Sequence, residues 1–265
     1  MIKAVVSDLD GTLLNADHTV GEYTQRVLKE LTQQGMKLIL ASGRPWADVE
    51  VIRQKLAMEI FLITCNGARV HDRQGHCIYR HDIPENLVTE LLVFGSPAGA
   101  KINVYQDDLW WVAEENPSLL KFHADSGFSY KVTPHEQLPT EHIAKVFWIG
   151  DNEALKVLEQ QLNDHFGDSL SIAFSLPICL EVMAGGVSKA QALDVVLQAK
   201  GLAFDQVIGF GDGLNDRLML SAVGQAAIMA NGADELKRAL PDLPVIGSNT
   251  EEAVAKYLDQ LFLQS

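Results

Sequence analysis

Cationic side chains are in short supply: 21 Lys and Arg against 35 Asp and Glu leave a net charge of −14 over 265 residues. Nucleic acid is therefore not an expected partner, because gripping a phosphate backbone calls for a basic face. Cysteine is scarcer still. Cys65, Cys77 and Cys179 make no C-x-x-C pair, and their odd number argues for reduced thiols over a disulfide framework or a zinc site. The eight histidines are scattered without an H-x-x-x-H spacing. No apolar run approaches the length of a membrane span, and the first one is broken by Asp8 and Asp10, unlike a secretory signal. These absences predict a cytoplasmic protein without membrane attachment, and nothing marks an obligate protein partner. Nucleotide fingerprints are missing too. Gly209, Gly211 and Gly213 would need a further glycine where Leu214 stands, and there is no P-loop.

What the chain does have is the ordinary make-up of a globular protein, 47% hydrophobic and 21% charged, at a length that suits two domains. Ala4-Val5-Val6, Met36 to Leu40 and Ile60 to Thr64 are apolar runs without polar alternation, as in strands buried on both faces. Between them, Glu22 to Gln34 places Val27, Leu28 and Leu31 on one helical face ahead of Gly35, and the stretch after Pro45 does so with Val49, Ile52 and Leu56. From about residue 84 the order changes. A helix over Pro84 to Phe94 leads to a hairpin of 102–105 with 109–113, then helices at 117–125 and 152–165 and strand-like runs at 128–132, 144–149, 170–174 and 179–183. After Gly185-Gly186 the alternation resumes: a helix capped at Ser188 and stopped by Gly201, the apolar strand ending at Asp212, a helix through Leu218 and Leu220, a strand over 226–229 and a last helix from about Glu251 to Phe262. The predicted fold class is α/β, a Rossmann-like doubly wound parallel sheet core over 1–83 and 185–265 with an α+β domain inserted over 84–184.

Acidic residues collect where two of the core strands end. Asp8-Leu9-Asp10-Gly11-Thr12 follows the first strand, and Gly211-Asp212-Gly213-Leu214-Asn215-Asp216 closes a later one. Open α/β sheets carry their chemistry at this carboxyl edge. Carboxylates about 4 Å apart repel by roughly 4 kcal/mol at an effective dielectric of about 20. Their convergence implies a divalent cation, and magnesium suits an all-oxygen ligand set of Asp8, Asp212 and the Asp10 carbonyl. In phosphoryl transfer Asp8 is the candidate nucleophile, forming an aspartyl-phosphate. Asp10, aimed to the same side if the strand continues, is the candidate acid for the leaving alcohol and base for water. Taken alone, D-x-D-G also fits a turn or a cap. Asn215 and Asp216 fit phosphate contacts, outer metal contacts or the cap of the next helix. Ser42-Gly43 offers a hydroxyl and backbone amides to a phosphate. Lys189 begins a helix, where a cation opposes the dipole; a bound phosphate would explain it, although most lysines are simply solvated. Trp110-Trp111 on a strand face opposite sides, one packed and the other available to line a substrate cavity.

Taken in order, Asp8-Leu9-Asp10-Gly11-Thr12, Ser42-Gly43-Arg44, Lys189 and Gly211 to Asp216 resemble the four motifs of the haloacid dehalogenase (HAD) superfamily, and the insertion after the third strand resembles the C2 cap of its Cof-type phosphatases. Asn66-Gly67-Ala68-Arg69-Val70-His71, Asn103-Val104-Tyr105 and Cys179-Leu180-Glu181-Val182 with Gly185 to Lys189 are similar to the branch that dephosphorylates pyridoxal phosphate and sugar phosphates. The resemblance implies a Mg2+-dependent phosphomonoesterase acting on a small phosphorylated metabolite. Asp8 would be the nucleophile and Asp10 the general acid and base; Asp8, Asp10, Asp212 and Asp216 would serve the metal; the Leu9 backbone, Ser42, Gly43, Lys189 and Asn215 would hold phosphate. Arg44, Asn66 and Arg69 are expected near the join of core and cap and so at the leaving group, with the cap closing over the substrate. Two positions depart from the family pattern, Ser42 where threonine is commoner and Glu252-Ala253 where Asp-Gly is frequent. A phosphomutase or other phosphotransferase would share every core motif and differ in its acceptor. A phospho-accepting signalling module would need neither Asp10 nor an inserted domain.

Overall fold

The computed structural model describes residues 1–264. β1 (Ala4–Ser7), α1 (Glu22–Gln33), β2 (Lys37–Ala41), α2 (Trp46–Leu56) and β3 (Ile60–Thr64) alternate, followed by two short strands, β4 (Arg69–His71) and β5 (Cys77–Arg80). Then come α3 (Glu85–Phe94), β6 (Lys101–Gln106), β7 (Leu109–Val112), β8 (Tyr130–Val132), β9 (Ile143–Ile149), α4 (Asn152–Phe166), β10 (Leu170–Leu176) and β11 (Cys179–Ala184). The chain ends with α5 (Lys189–Lys200), β12 (Val207–Gly211), α6 (Arg217–Ala222), β13 (Gln225–Met229), α7 (Asp234–Ala239), β14 (Val245–Ile246) and α8 (Ala253–Phe262). Two compact units result: Met1–Tyr79 with the residues from Ser188 onward, and Arg80–Val187.

The first unit is built on a sheet of order β14-β13-β12-β1-β2-β3-β4-β5, parallel from β14 to β3 and antiparallel between β3 and β4. Neighbouring residues of its strands point to opposite faces, yet both sets are buried. Val5, Leu38, Leu40 and Phe210 pack with Leu28 and Leu31 of α1, Ile52 of α2 and Leu258 of α8. Val6, Ile39, Ile63 and Ile228 pack with Leu193 and Val196 of α5 and Leu220 of α6. Two covered faces are why these runs show no polar alternation. Gly21 precedes α1 and has no capping side chain. The cap comes from the far end of the sequence: the Glu252 carboxylate accepts from the Thr24 amide at 2.8 Å and the Thr24 hydroxyl at 2.7 Å. A Cβ on Gly21 would lie 2.2 Å from that carboxylate and push the cap aside. The departure at Glu252 thus has a structural use.

The second unit carries a sheet of order β10-β11-β9-β6-β7-β8, antiparallel except between β7 and β8. Trp148 of β9 donates from Nε1 to the Gly95 carbonyl at 2.9 Å, which puts the end of α3 on the Trp148 face. Phe94 of α3 lies 5.6 Å from Phe166 of α4, so both helices share that face. The segment predicted as a helix over 117–125 is instead a 3-10 turn, Pro117–His123, with Leu119 as its one buried residue, too little apolar surface to hold an α-helix against the sheet. Trp110 is buried and donates to Asn103 Oδ1 at 2.9 Å. Trp111 faces the other way, donating to Gln106 Oε1 at 3.0 Å with Lys131 Nζ 5.3 Å above its ring. Among the described residues no helix is long and apolar enough to cross a membrane.

His71 of β4 is 2% exposed and its Nδ1 has no hydrogen-bond partner. Its ring lies 5.5 Å from that of Trp46. Burial, helped by the adjacent Arg69 and opposed by Glu50 and Asp72, pushes its pKa down to about 4. The folded protein therefore keeps His71 neutral while the unfolded chain takes up a proton below about pH 6.5. The unfolded state binds more protons in this window, so stability falls as pH drops from about 6.5 to about 4, by up to roughly 3 kcal/mol from this group. His71→Phe is expected to flatten that decline. Urea midpoints at pH 7 and pH 5 check it, and an undiminished difference in the variant would remove His71 as the cause.

Candidate active site

β1 lies between β2 and β12, and the chain leaves β1 towards one side and returns much later on the other. Two parallel strands feeding opposite directions open a crevice at their carboxyl ends. Asp8 is the first residue past β1, and Asp212 the first past β12.

Asp10 is not placed by strand periodicity as predicted. β1 stops at Ser7, and Leu9–Leu13 coils into a single wide turn in which the Leu13 and Leu14 amides donate to the Asp8 and Leu9 carbonyls at 3.3 and 2.9 Å. Gly11 closes the turn at φ 78°, and a Cβ there would lie 2.4 Å from Asp212 Oδ2. Glycine is therefore required twice, for the backbone angle and for the approach of Asp212. Thr12 then donates to Asp212 Oδ1 at 2.9 Å, joining the two acidic segments directly.

Lys189 resolves the odd cation at a helix start. It is fully buried and donates to Asp8 Oδ1 at 2.5 Å and to Asp216 Oδ1 at 2.6 Å. Burial opposes its charge, but Asp216 and Asp8 outweigh that and hold the ammonium above the usual lysine range. An ammonium has three donors, so one N–H remains beyond these two bonds. The other oxygen of Asp216 accepts from the Asp212 and Gly213 amides, each at 3.0 Å. Asp216 thus braces the loop that presents Asp212.

Burial pushes the Asp8 carboxyl well above the ordinary range, with Lys189 opposing and Asp216 and Asp212 adding to the rise. Asp212 is raised as well, by burial first and then by Asp216, against the hydrogen bond from Thr12. Carboxylate oxygens of Asp8, Asp212 and Asp216 all lie within 4.8 Å of one another. Three carboxylates facing one ammonium leave two negative charges uncompensated when all are ionised. A divalent cation offsets that charge, and an all-oxygen donor set suits magnesium. The residues present fit the metal, and Asp8 and Asp212 would be its carboxylate ligands.

Arg44 reaches back to the β1 turn. Its guanidinium grips Asp10 in a two-point pair, Nε to Oδ2 at 2.7 Å and Nη2 to Oδ1 at 2.5 Å, while His18 Nδ1 stands 3.4 Å from Asp10 Oδ1. The reason lies in the loop after β2, which returns the side chain across the edge to the β1 turn. The Ser42 hydroxyl accepts from the Arg44 amide at 3.1 Å. Asn215 donates to Asn66 Oδ1 at 3.0 Å, and a Cβ on Gly43 would meet that same oxygen at 3.0 Å. Ser42, Gly43, Asn66 and Asn215 thus share one rim. Leu9 has its side chain in the core, which leaves its backbone to face the site. Arg69 is 3% exposed and donates to the Ala68 carbonyl at 2.8 Å.

Sequence reasoning passed over Asn231 and Asn249. Asn231 donates to the Gly11 carbonyl at 2.7 Å and accepts from the Asn249 amide at 3.0 Å, and Asn249 donates to the Leu14 carbonyl at 2.8 Å. The Ala233 amide donates to the Asp212 carbonyl at 2.8 Å. These contacts fix the turn of Gly11 and the loop of Asp212 relative to each other. The available signal was Asn231-Gly232, a turn pair closing an apolar strand at the same sheet edge.

A sequence model of haloacid dehalogenase-like hydrolases matches residues 5–258. A Haemophilus influenzae protein is 43% identical over 265 residues, covering 98% of this chain and 97% of its own. An HMP-PP phosphatase from Cronobacter sakazakii is 39% identical over 258 residues, covering 97% and 95%. The crystal structure of a haloacid dehalogenase-like hydrolase from Bacteroides thetaiotaomicron superposes with a TM-score of 0.85 at 25% identity, over 99% of this chain and 100% of that one. With two acidic strand ends drawn together around a buried lysine, and a match running over nearly its whole length, the chain belongs to the haloacid dehalogenase-like hydrolase family.

Proposed function

We propose that the protein is a magnesium-dependent phosphatase that hydrolyses small phosphorylated metabolites, working in the cytoplasm. The observation that carries this is the Asp8 carboxylate, buried at the sheet edge with Oδ1 on Lys189 and Asp212 close by. One oxygen anchored leaves Oδ2 as the attacking atom. Bound magnesium would neutralise the Asp8 and Asp212 carboxylates and draw charge from a phosphate oxygen. The Leu9 backbone, Ser42, Gly43, Asn215 and the third N–H of Lys189 receive the remaining phosphoryl oxygens. Asp8 Oδ2 bonds to phosphorus as the ester P–O bond breaks, and Asp10 passes a proton to the departing alcohol oxygen. Asp10 then takes a proton from water, whose oxygen attacks phosphorus; the aspartyl O–P bond breaks and Asp8 and phosphate are released. Asp10 must be free to reach the leaving oxygen, so the two-point grip of Arg44 loosens for the first step. Arg44 is thus a positioning residue. The unit Arg80–Val187 is the C2-type cap that selects the leaving group, and the name of the Cronobacter sakazakii relative supports a phosphorylated small molecule as substrate.

Asp8→Asn is expected to lower kcat by at least about a thousandfold with the fold retained, and residual turnover above about one per cent would take the nucleophile role away from Asp8. Chelation should stop release of inorganic phosphate and added magnesium should restore it; transfer to a second alcohol without net phosphate release would make the enzyme a phosphomutase. Gly11→Ala pushes Asp212 aside, so the rise in melting temperature on adding magnesium should shrink in that variant, and an unchanged rise would argue against Asp212 as a ligand. Arg44→Gln should lower kcat by about ten- to a hundredfold with KM within about twofold. A rise in KM alone would return Arg44 to the leaving group.

A further inference from the structure

We propose that Asn66 is a positioning residue that sets the width of the phosphate-binding rim by holding Asn215 beside the Ser42-Gly43 loop, an assignment that rests on the phosphatase reading above. The observation behind it is the backbone just past β3, where Cys65, Asn66 and Gly67 take φ of 48°, 54° and 110° in succession. Glycine adopts such angles freely and asparagine at modest cost, whereas cysteine is strained there. Strain of this kind persists only where the surroundings dictate the conformation. Here the loop after β2 dictates it. The Cys65 amide donates to the Arg44 carbonyl and the Asn66 amide to the Ser42 carbonyl, both at 3.0 Å, while the Ser42 amide donates to the Ile63 carbonyl at 2.8 Å. The end of β3 and the Ser42-Gly43-Arg44 loop are thereby laced together.

The same turn reaches two further loops, all within the first unit. Asn66 Oδ1 accepts from Asn215 Nδ2 at 3.0 Å, and a Cβ on Gly43 would meet that oxygen at 3.0 Å. A Cβ on Gly67 would lie 2.3 Å from the Ser188 carbonyl and 3.2 Å from the Lys189 amide. The turn therefore touches the Ser42-Gly43 loop, the start of α5 and the loop after β12, each of which carries a group assigned to phosphate. If the backbone conformation alone were needed, glycine at position 66 would supply it with less strain. The asparagine side chain has a separate use. Asn215 is exposed, and a free side chain there would spread over several rotamers. Its Nδ2 carries two N–H bonds in one plane, so anchoring one on Asn66 fixes the direction of the other. Ordering Asn215 in advance spares an incoming phosphoryl group that cost. Asn66 thus acts on the part that all phosphoesters share and not on the leaving group.

The test is a double-mutant cycle on Asn66 and Asn215 in the full-length, magnesium-loaded enzyme, with p-nitrophenyl phosphate and acetyl phosphate as substrates and inorganic phosphate as competitive inhibitor. Inorganic phosphate has no leaving group, so its Ki reports the rim alone. Asn66→Gly keeps the left-handed backbone and so the fold. It is expected to raise that Ki, and KM for both esters, by about fivefold, the effect of one hydrogen bond, with kcat within about threefold and the urea midpoint close to that of the unsubstituted protein. Asn215→Ala should raise Ki at least as far, and the double variant should match Asn215→Ala to within about twofold, because Asn66 acts through Asn215. An unchanged Ki in Asn66→Gly, effects that multiply in the double variant, or a rise in Ki that comes only with a lowered urea midpoint overturns the assignment. Lack of Asp8-dependent hydrolysis of both esters overturns the phosphatase reading instead.

Discussion

A lysine ammonium with no access to water, held between Asp8 and Asp216, is the constraint on which the rest of the first unit turns. It joins three separate elements: the end of β1 through Asp8, the start of α5 through Lys189, and the loop after β12 through Asp216. Neighbouring loops have to comply. A Cβ on Gly67 would lie 2.3 Å from the Ser188 carbonyl, so the turn after β3 rests directly on the residue before Lys189.

The same cluster accounts for the chemistry. One ammonium does not balance three carboxylates, and their burial raises Asp8 and Asp212 towards protonation. A divalent cation would offset that excess charge. The overall acidity of the chain, −14, is no obstacle to binding a phosphoester, because the relevant potential is local. Asp10 is governed separately. It lies outside the buried cluster, paired with Arg44 at the half-exposed edge.

The two sheets solve different problems. In the first, helices cover both faces and the functional residues sit at the strand ends. In the second, α3 and α4 occupy one face, and Asn103, Lys145 and Glu181 lie on the other, buried among Tyr105 and Phe147. A doubly covered sheet suits rigid support of a catalytic edge.

The long, doubly buried strands could be read from the amino acids, since unbroken apolar runs have few other uses; β3 falls on the predicted Ile60 to Thr64. The acidic motifs at strand ends were equally visible, as was the misplaced cation at Lys189. Strands such as β4 and β14 are too short to show a period, and Pro117–His123 offers a helical pattern without the apolar surface to support it. Local chemistry therefore determined the strand set and the acidic edge. Tertiary structure alone decided that Arg44 grips Asp10, that Glu252 caps α1, that Asn231 secures the Gly11 turn and that Lys145 meets Glu181. Each of those pairs spans a long stretch of chain, and their meeting depends on how loops return to a common edge or how strands register, which periodicity within a single segment does not encode.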